Sequence, residues 1–303
     1  MKKLLVICGS TATGKTGLAL KLAKKFKAEL VSADSRQIYK QMDLVIGKDL
    51  DKIKKSEVKV WGLDLVKPDE QFSVAHFVKF SHQAINYIWQ QGRLPILVGG
   101  TGFWIQTLLE GVDLLHVPPN PELRKKLTGL SIKMLQQRLK KICPERWFKM
   151  NPSDQQNPRR LIRAIETAMF KGVVKKSAGL SRICSVLKIG LMADKQELDA
   201  CIDRRVEQRV RQGAIKETQR LVNQGYSRDL PSMSGLGYRE LQLHLENKLP
   251  LAEAIKAWQL SEHGYARRQQ TWFKKDPAIV WFDINQPELF TNIVKRIKTW
   301  YDE

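Results

Sequence analysis

The stretch Gly9-Ser10-Thr11-Ala12-Thr13-Gly14-Lys15-Thr16 constrains this chain more than any other. It fits the pattern G-x-x-x-x-G-K-[ST] in the setting of a phosphate-binding loop. The apolar run 4–8 precedes it, and apolar residues at helical spacing (Leu18, Leu22, Phe26) follow it. Its glycines let the backbone curl so that successive N–H groups point inward, and the N-terminus of the next helix adds positive potential. Lys15 can reach the outer phosphates, and Thr16 offers a hydroxyl to Mg²⁺. A strand–loop–helix start of this kind implies an α/β fold.

The alternation continues. Residues 29–33, 58–66 and 94–100 read as strands and 75–90 as a helix, which implies a parallel sheet covered by helices on both faces. From about Gly111 the texture changes. A Pro-rich turn opens a basic, helical stretch, and β-type character returns at 185–193. We therefore expect a P-loop α/β core, residues 1–112 and 181–303, with a mainly helical insertion domain at 113–180. Long helices are expected at 197–223 and 251–274, then a last strand at 278–284 and a short helix.

Lys and Arg number 52 against 31 Asp and Glu, giving a net charge of +21 and a pI near 9.9. Such a field points to a polyanionic partner, of which nucleic acid is the commonest. The cysteines Cys8, Cys143, Cys184 and Cys201 form no C-x-x-C pair. That argues against a zinc site or a disulfide scaffold and fits a reducing cytoplasm. The opening "MKKLLVIC" reads as a first strand, and no apolar stretch reaches the length of a membrane span. His76, His82, His116, His244 and His263 show no metal-ligand spacing.

Asp34 and Thr101 each follow a strand directly, in "DSRQIYK" and "GGTGFW". Ligands of open parallel sheets bind at the carboxyl ends of the strands, so both should meet the phosphate loop in one crevice. Asp34 there suits a general base, or equally a helix N-cap, and Thr101 also suits a turn. A motor or switch NTPase needs an acid ending an apolar strand. The run 94–100 ends in glycines, which leaves Asp64, a residue that equally suits a turn. "NPRRLIRAIE" sets Arg159 and Arg163 one helical turn apart, with Arg160 beside them and Leu161 and Ile165 as an inward stripe. "YARRQQTWF" sets Arg267 and Arg268 beside Trp272 and Phe273. Guanidinium groups with aromatics suit phosphate backbones and unstacked bases, and a solvated basic face over a core stripe explains any single Arg as well.

With "DSRQIYKQMD", "GRLPILVGGTGFWIQTLLEG", "RRLIRAIE", "SGLGYREL" and "YARRQQTWF" in this order, nearly the whole chain resembles the tRNA dimethylallyltransferase (bacterial tRNA isopentenyltransferase) family. The resemblance implies an enzyme that moves a dimethylallyl group from dimethylallyl diphosphate to N6 of the adenosine 3′ of the anticodon, position 37, releasing diphosphate. Gly9, Ser10, Thr11, Ala12, Thr13, Gly14, Lys15 and Thr16 would cradle the diphosphate, with Mg²⁺ at Thr16. Arg209, or else Arg205, would supply a diphosphate-contacting arginine. Asp34 would take the N6 proton, with Thr101 supporting the same centre by hydrogen bonding, and Lys15 would stabilise the departing diphosphate. Implied tRNA contacts are Asp34, Ser35, Arg36, Gln37, Thr101, Arg124, Arg159, Arg160, Leu161, Ile162, Arg163, Ser234, Gly235, Leu236, Gly237, Tyr238 and Arg239, to which the Arg-aromatic pattern adds Arg267 and Arg268. The implied partner is the anticodon stem-loop of tRNA, bound by a cytoplasmic monomer without a membrane. Departures from the family's pattern are Ser10, Thr13, Trp104, a helix about one turn shorter after Arg209, and "GKDLDKIKK". Two rivals share these residues: a P-loop kinase of small molecules or nucleotides that uses ATP, and a non-catalytic RNA-binding module.

Overall fold

The computed structural model of the chain describes residues 1–112, 117–172 and 178–302. His116 lies outside them. In chain order the elements are β1 (Lys3–Gly9), α1 (Lys15–Lys25), β2 (Ala28–Ser32), α2 (Leu50–Ser56), β3 (Val60–Trp61), α3 (Val74–Gln90), β4 (Leu94–Val98) and α4 (Gly102–Glu110). Five short helices follow: α5 (Pro121–Leu127), α6 (Ile132–Ile142), α7 (Pro144–Lys149), α8 (Pro152–Gln155) and α9 (Pro158–Ala168). The chain then continues as β5 (Ser185–Met192), α10 (Lys195–Arg211), α11 (Ala214–Asn223), α12 (Tyr238–Leu245), α13 (Leu251–Phe273), β6 (Ile279–Asp283) and α14 (Leu289–Asp302).

The six strands form one parallel sheet in the order β3-β2-β4-β1-β5-β6. β4 and, after Lys3, β1 are apolar and buried throughout, as strands covered on both faces must be. Leu5 and Ile7 of β1 turn to one face with Leu30, Ile96 and Ile189, where α1 and α14 close the core through Leu22, Ile293 and Ile297. The intervening Leu4 and Val6 turn to the opposite face, which α3 and α13 cover. This is the expected fold, with three local differences. The strand expected at 58–66 ends at Trp61, because Gly62 (φ +92°) and Asp64 (φ +54°) turn the backbone left-handed. The single helix expected at 197–223 is two helices, broken at Gly213 (φ +109°). The closing helix α14 runs for 14 residues. No helix among the described residues is long and apolar enough to cross a membrane.

The chain folds as two compact units, Met1–Glu110 with Gly179–Glu303, and Gly111–Ala178. The second is helical. Asn120, Ser131, Asn151 and Asn157 each accept a backbone N–H at a helix start, and proline occupies the first turn of α5, α8 and α9. Its core is Leu123, Leu127, Leu135, Leu139, Leu161, Ala164 and Ile165. Leu161, expected to contact RNA, is wholly buried here and contributes packing instead. Leu161→Ala should loosen this unit by about 2–5 kcal/mol, read as a lower urea midpoint of its unfolding, while RNA affinity measured under folded conditions stays within about twofold.

Candidate active site

β1 delivers the chain to the phosphate loop through Gly9 (φ +132°), where a Cβ would lie 2.4 Å from Leu191 O. Ala12 (φ +64°) and Gly14 (φ +77°) complete the curl, and Gly14 caps α1. Two loop side chains serve the fold. Ser10 Oγ donates to Ala266 O of α13 at 3.2 Å, and Thr13 Oγ1 donates to Ser10 O at 2.9 Å. Lys15 Nζ hydrogen-bonds Ser10 O within the loop. Burial first, and then the nearby Arg205 charge, pull the Lys15 ammonium down to about 8, against opposing pulls from Asp34 and Asp49.

A cleft of about 390 Å³ opens over the loop at the carboxyl edge of the sheet. Thr11, Ala12, Gly14, Lys15 and Thr16 line it together with Asp34, Gln37, Asp49, Arg205, Gln208, Tyr265 and Gln269. Asp34 begins a turn and no helix: its Oδ1 accepts Arg36 N at 2.9 Å. Thr101 locks that turn in place. Its Oγ1 accepts Ser35 N at 3.0 Å, and its own N–H donates to Ala33 O at 3.2 Å. Gly99 permits this approach, since a Cβ there would lie 2.2 Å from Ala33 O. Asp64 is not in the cleft; its carboxylate accepts Lys48 Nζ at 2.5 Å beyond β3.

Sequence reasoning missed the residues that α13 contributes. Gln269, 6% exposed, accepts Thr11 N at 2.7 Å and donates to Gly100 O at 2.9 Å, so one amide joins the phosphate loop to the turn before Thr101. Tyr265 hydrogen-bonds Thr101 and faces Asp34; burial first, then the Asp34 charge, raise its phenol far above the usual range. Glu262 accepts Arg209 Nη1 at 3.2 Å. Trp258, Glu262, Tyr265 and Gln269 recur at helical spacing, so polar residues within an inward stripe were the available sign. The basic pair chosen from this segment, Arg267 and Arg268, is exposed, with Arg268 over the Tyr265 ring at 5.9 Å.

The two candidate diphosphate arginines separate cleanly. Arg205 lines the cleft and points Nη1 at Thr11 Oγ1, 3.4 Å away. Arg209 is 5% exposed, donates to Val45 O at 3.1 Å and pairs with Glu262, so the expectation of a phosphate-facing Arg209 is corrected in favour of Arg205. The segment 234–239 is also mixed. Ser234 and Arg239 are exposed, Gly235 lies 3.9 Å from the Arg36 guanidinium through its ideal Cβ, and Arg36 Nη1 donates to Pro231 O at 2.6 Å. Gly237 (φ +91°) starts α12 against Trp258, and Leu236 is half-buried. Tyr238 is wholly buried and donates to Glu217 Oε1 at 2.6 Å, so it supports the segment and is no RNA contact.

In the helical unit, Arg124 holds the buried Glu166 through two bonds of 2.8 and 2.9 Å, and Arg163 bonds Glu166 as well. Burial pushes the Glu166 carboxyl up, but the bonds from Arg124, Asn120 N–H and Arg163 outweigh it and leave it lowered. Both arginines thus first neutralise a buried acid. Arg159 is exposed, Arg160 pairs with Asp154, and Ile162 packs partly buried against the core.

Thr16 and the carboxylates Asp34 and Asp49 face the cleft, and among the described residues no group of three or more His, Cys, Asp or Glu could hold a metal. One hydroxyl beside a phosphate cradle suits Mg²⁺, which keeps waters and takes phosphate oxygens, and does not suit a metal needing a protein cage. Lys15 generates a pH prediction. Its pKa lies below the usual lysine value, so an anion bound beside it raises that pKa and takes up a proton. Affinity for inorganic diphosphate, divided by that of Lys15→Arg to cancel the ligand's own titration, should be flat below about pH 7, halve near pH 8 and fall about tenfold by pH 9. Calorimetric titration across this range checks it.

A family model described as IPP transferase matches residues 37–276, and one described as isopentenyl transferase matches residues 2–64. The chain is 37% identical over 308 residues to a tRNA dimethylallyltransferase of a Roseiflexus species, covering all of both chains. It is 38% identical over 296 residues to the tRNA dimethylallyltransferase of Dehalococcoides mccartyi, covering 93% of this chain and 88% of the relative. The crystal structure of a tRNA isopentenylpyrophosphate transferase from Bacillus halodurans superimposes with a TM-score of 0.74 at 31% identity, over 100% of this chain and 96% of the other. With its phosphate loop, its Asp34 turn and its α13 side chains gathered at one sheet edge, the chain belongs to the IPP transferase family, alongside the tRNA dimethylallyltransferases.

Proposed function

We propose that this protein transfers the dimethylallyl group of dimethylallyl diphosphate to the exocyclic N6 of adenosine 37, immediately 3′ of the anticodon in tRNA, and releases diphosphate. The observation that carries the reading is the shared cleft, where Lys15, Thr16 and Arg205 stand within one cavity of an acid, Asp34, that could accept a proton. An anion leaving on one side and a proton leaving on the other is the arrangement an alkyl transfer to nitrogen requires.

In this reading the N6 lone pair forms the bond to the allylic carbon while the carbon–oxygen bond breaks and its electron pair departs with diphosphate. The inward amides of residues 9–16, Lys15 and Arg205 stabilise the charge that builds on the leaving group. Mg²⁺ held at Thr16 adds charge neutralisation when bound. Asp34 takes the N6 proton on the carboxylate, whose direction is set by the Arg36 amide and by Thr101 through Ser35. The adenine must leave the stack of its loop to reach this depth. The acceptor is held by Ser35, Arg36 and Gln37, by the exposed Ser234 and Arg239, and by the basic faces carrying Arg159 and Arg160, and Arg267 and Arg268. The +21 charge supports a polyanionic acceptor and predicts affinity that falls steeply with salt. The four free cysteines suit work in the reducing cytoplasm, where the enzyme acts as a monomer.

The test incubates the protein with Mg²⁺, labelled dimethylallyl diphosphate and unmodified tRNA. Label should enter the tRNA and disappear when the acceptor adenosine is replaced. Absence of label, with phosphate released from ATP instead, would move the protein to a kinase or NTPase. Asp34→Ala should lower turnover by about 10²-fold or more with tRNA affinity within about twofold, and near-normal turnover would refute its role as base.

A further inference from the structure

Arg205 owes its position to a residue with no side chain. Gly47 (φ +69°) sits where two guanidinium groups lie side by side: an ideal Cβ there would fall 2.0 Å from Arg209 Nη2 and 2.7 Å from Arg205 Nη2. Its carbonyl accepts Arg205 Nη2 at 3.1 Å, and Gln37 Nε2, from the Asp34 turn, approaches the same oxygen at 3.4 Å. Val45 O accepts Arg209 Nη1 at 3.1 Å, and Glu262 neutralises that guanidinium from α13. Two anchors of this loop, Glu217 and Lys48, are buried. Glu217 accepts the N–H groups of Asp43, Leu44 and Val45 at 3.0, 2.8 and 3.1 Å, and Lys48 ties Tyr39 O to Asp43.

Two like charges do not settle side by side unless something holds them. Arg209 has Glu262; Arg205 has only Asp49, 4.0 Å away, as a salt-bridge partner among the described residues, and points its Nη1 at Thr11 Oγ1 of the phosphate loop. The pair is therefore asymmetric: one guanidinium is spent on the fold, and the other keeps charge for the cleft. The depression of the Arg209 pKa to about 10, by burial and then by Arg205, is consistent with that crowding.

We infer that Gly47 is a positioning residue for diphosphate binding: by leaving room for Arg209 to pack behind it and by accepting Arg205 at its carbonyl, it fixes the Arg205 guanidinium against the phosphate loop. Any side chain at 47 displaces the arginine pair and withdraws Arg205 from Thr11. The inference rests on the proposed function for the identity of the anion, and deepens it by assigning the donor side of the site a residue that never touches substrate.

The test measures binding of inorganic diphosphate with Mg²⁺ to the full chain by calorimetry, so it does not depend on transfer. Gly47→Ala should weaken diphosphate at least tenfold, raise the KM for dimethylallyl diphosphate in parallel and leave tRNA affinity within about twofold. Arg205→Lys should weaken diphosphate similarly, and the double variant should bind within about twofold of Arg205→Lys alone, because both act through one guanidinium. A smaller loss in folded Gly47→Ala, or a double variant whose losses multiply, overturns the inference. Should thermal unfolding show Gly47→Ala to be misfolded, Arg209→Lys replaces it. That lysine keeps the charge but has no counterpart of Nη2, the atom packed against Gly47, so it should weaken diphosphate at least fivefold without adding to Arg205→Lys. Unchanged affinity, or multiplying losses, again overturns it. Normal diphosphate behaviour in all variants' reference protein without prenyl transfer would refute the proposed function and leave this inference to its own result.

Discussion

Positive charge crowded at the carboxyl edge of the sheet is the constraint around which the core is arranged. Lys15, Arg205 and Arg209 crowd one region, and two of them have their pKa values pulled down by burial and by Arg205. Like charges a few ångströms apart repel by about 4 kcal/mol at an effective dielectric near 20, enough to unfold a loop that had no compensation. The fold compensates twice. Glu262 absorbs Arg209, and Glu217, with four donors on one carboxylate, fixes the loop whose carbonyls receive both arginines. What is left uncompensated faces the phosphate loop, which makes the cleft attractive to a dense anion such as diphosphate.

The helix α13 is the common support of the two halves of that cleft. Its Ala266 carbonyl anchors Ser10, its Gln269 amide joins Thr11 to Gly100, its Tyr265 hydroxyl meets Thr101 and its Glu262 holds Arg209. The donor side and the acceptor side of the reaction are thereby fixed to one rigid rod of 23 residues. Rigid support of this kind is what keeps reacting atoms within the narrow range of distances that productive transfer needs. The helical unit has its own economy: the buried Glu166 organises Arg124 and Arg163 over a leucine core, so part of its basic character is structural before it is available to RNA.

Much of the fold and half of the site were legible in the sequence. The phosphate loop was, because its chemistry lies in the order of glycines and small residues within one local curl. The strands β1, β2, β4 and β5 were, because strands in the middle of a covered sheet are dominated by apolar residues in short runs. Asp34 and Thr101 were, because both follow such strands directly, and topology alone takes them to one edge. The helical character of the stretch after Gly111 was, through the Pro-rich turn that opens it and the spacing of Leu161 and Ile165. In each case the determining interactions span a few residues.

The rest was decided by contacts between residues far apart in the chain. Arg205 and Arg209 lie one helical turn apart with the same chemistry, and only the placement of Glu262 and Gly47 sends one into the core and the other to the cleft. Tyr238 and Leu161 sit among residues that face solvent, yet Glu217 and the leucine core claim them. Gln269 sits within "YARRQQTWF" beside the arginines that drew attention, and its own meaning comes from the two loops it spans, 258 and 169 residues away. The sequence by itself determined that a phosphate loop would open a parallel sheet with an acid at its edge; the tertiary structure decided which cation meets the phosphate, because the burial of charge depends on partners that local order does not specify.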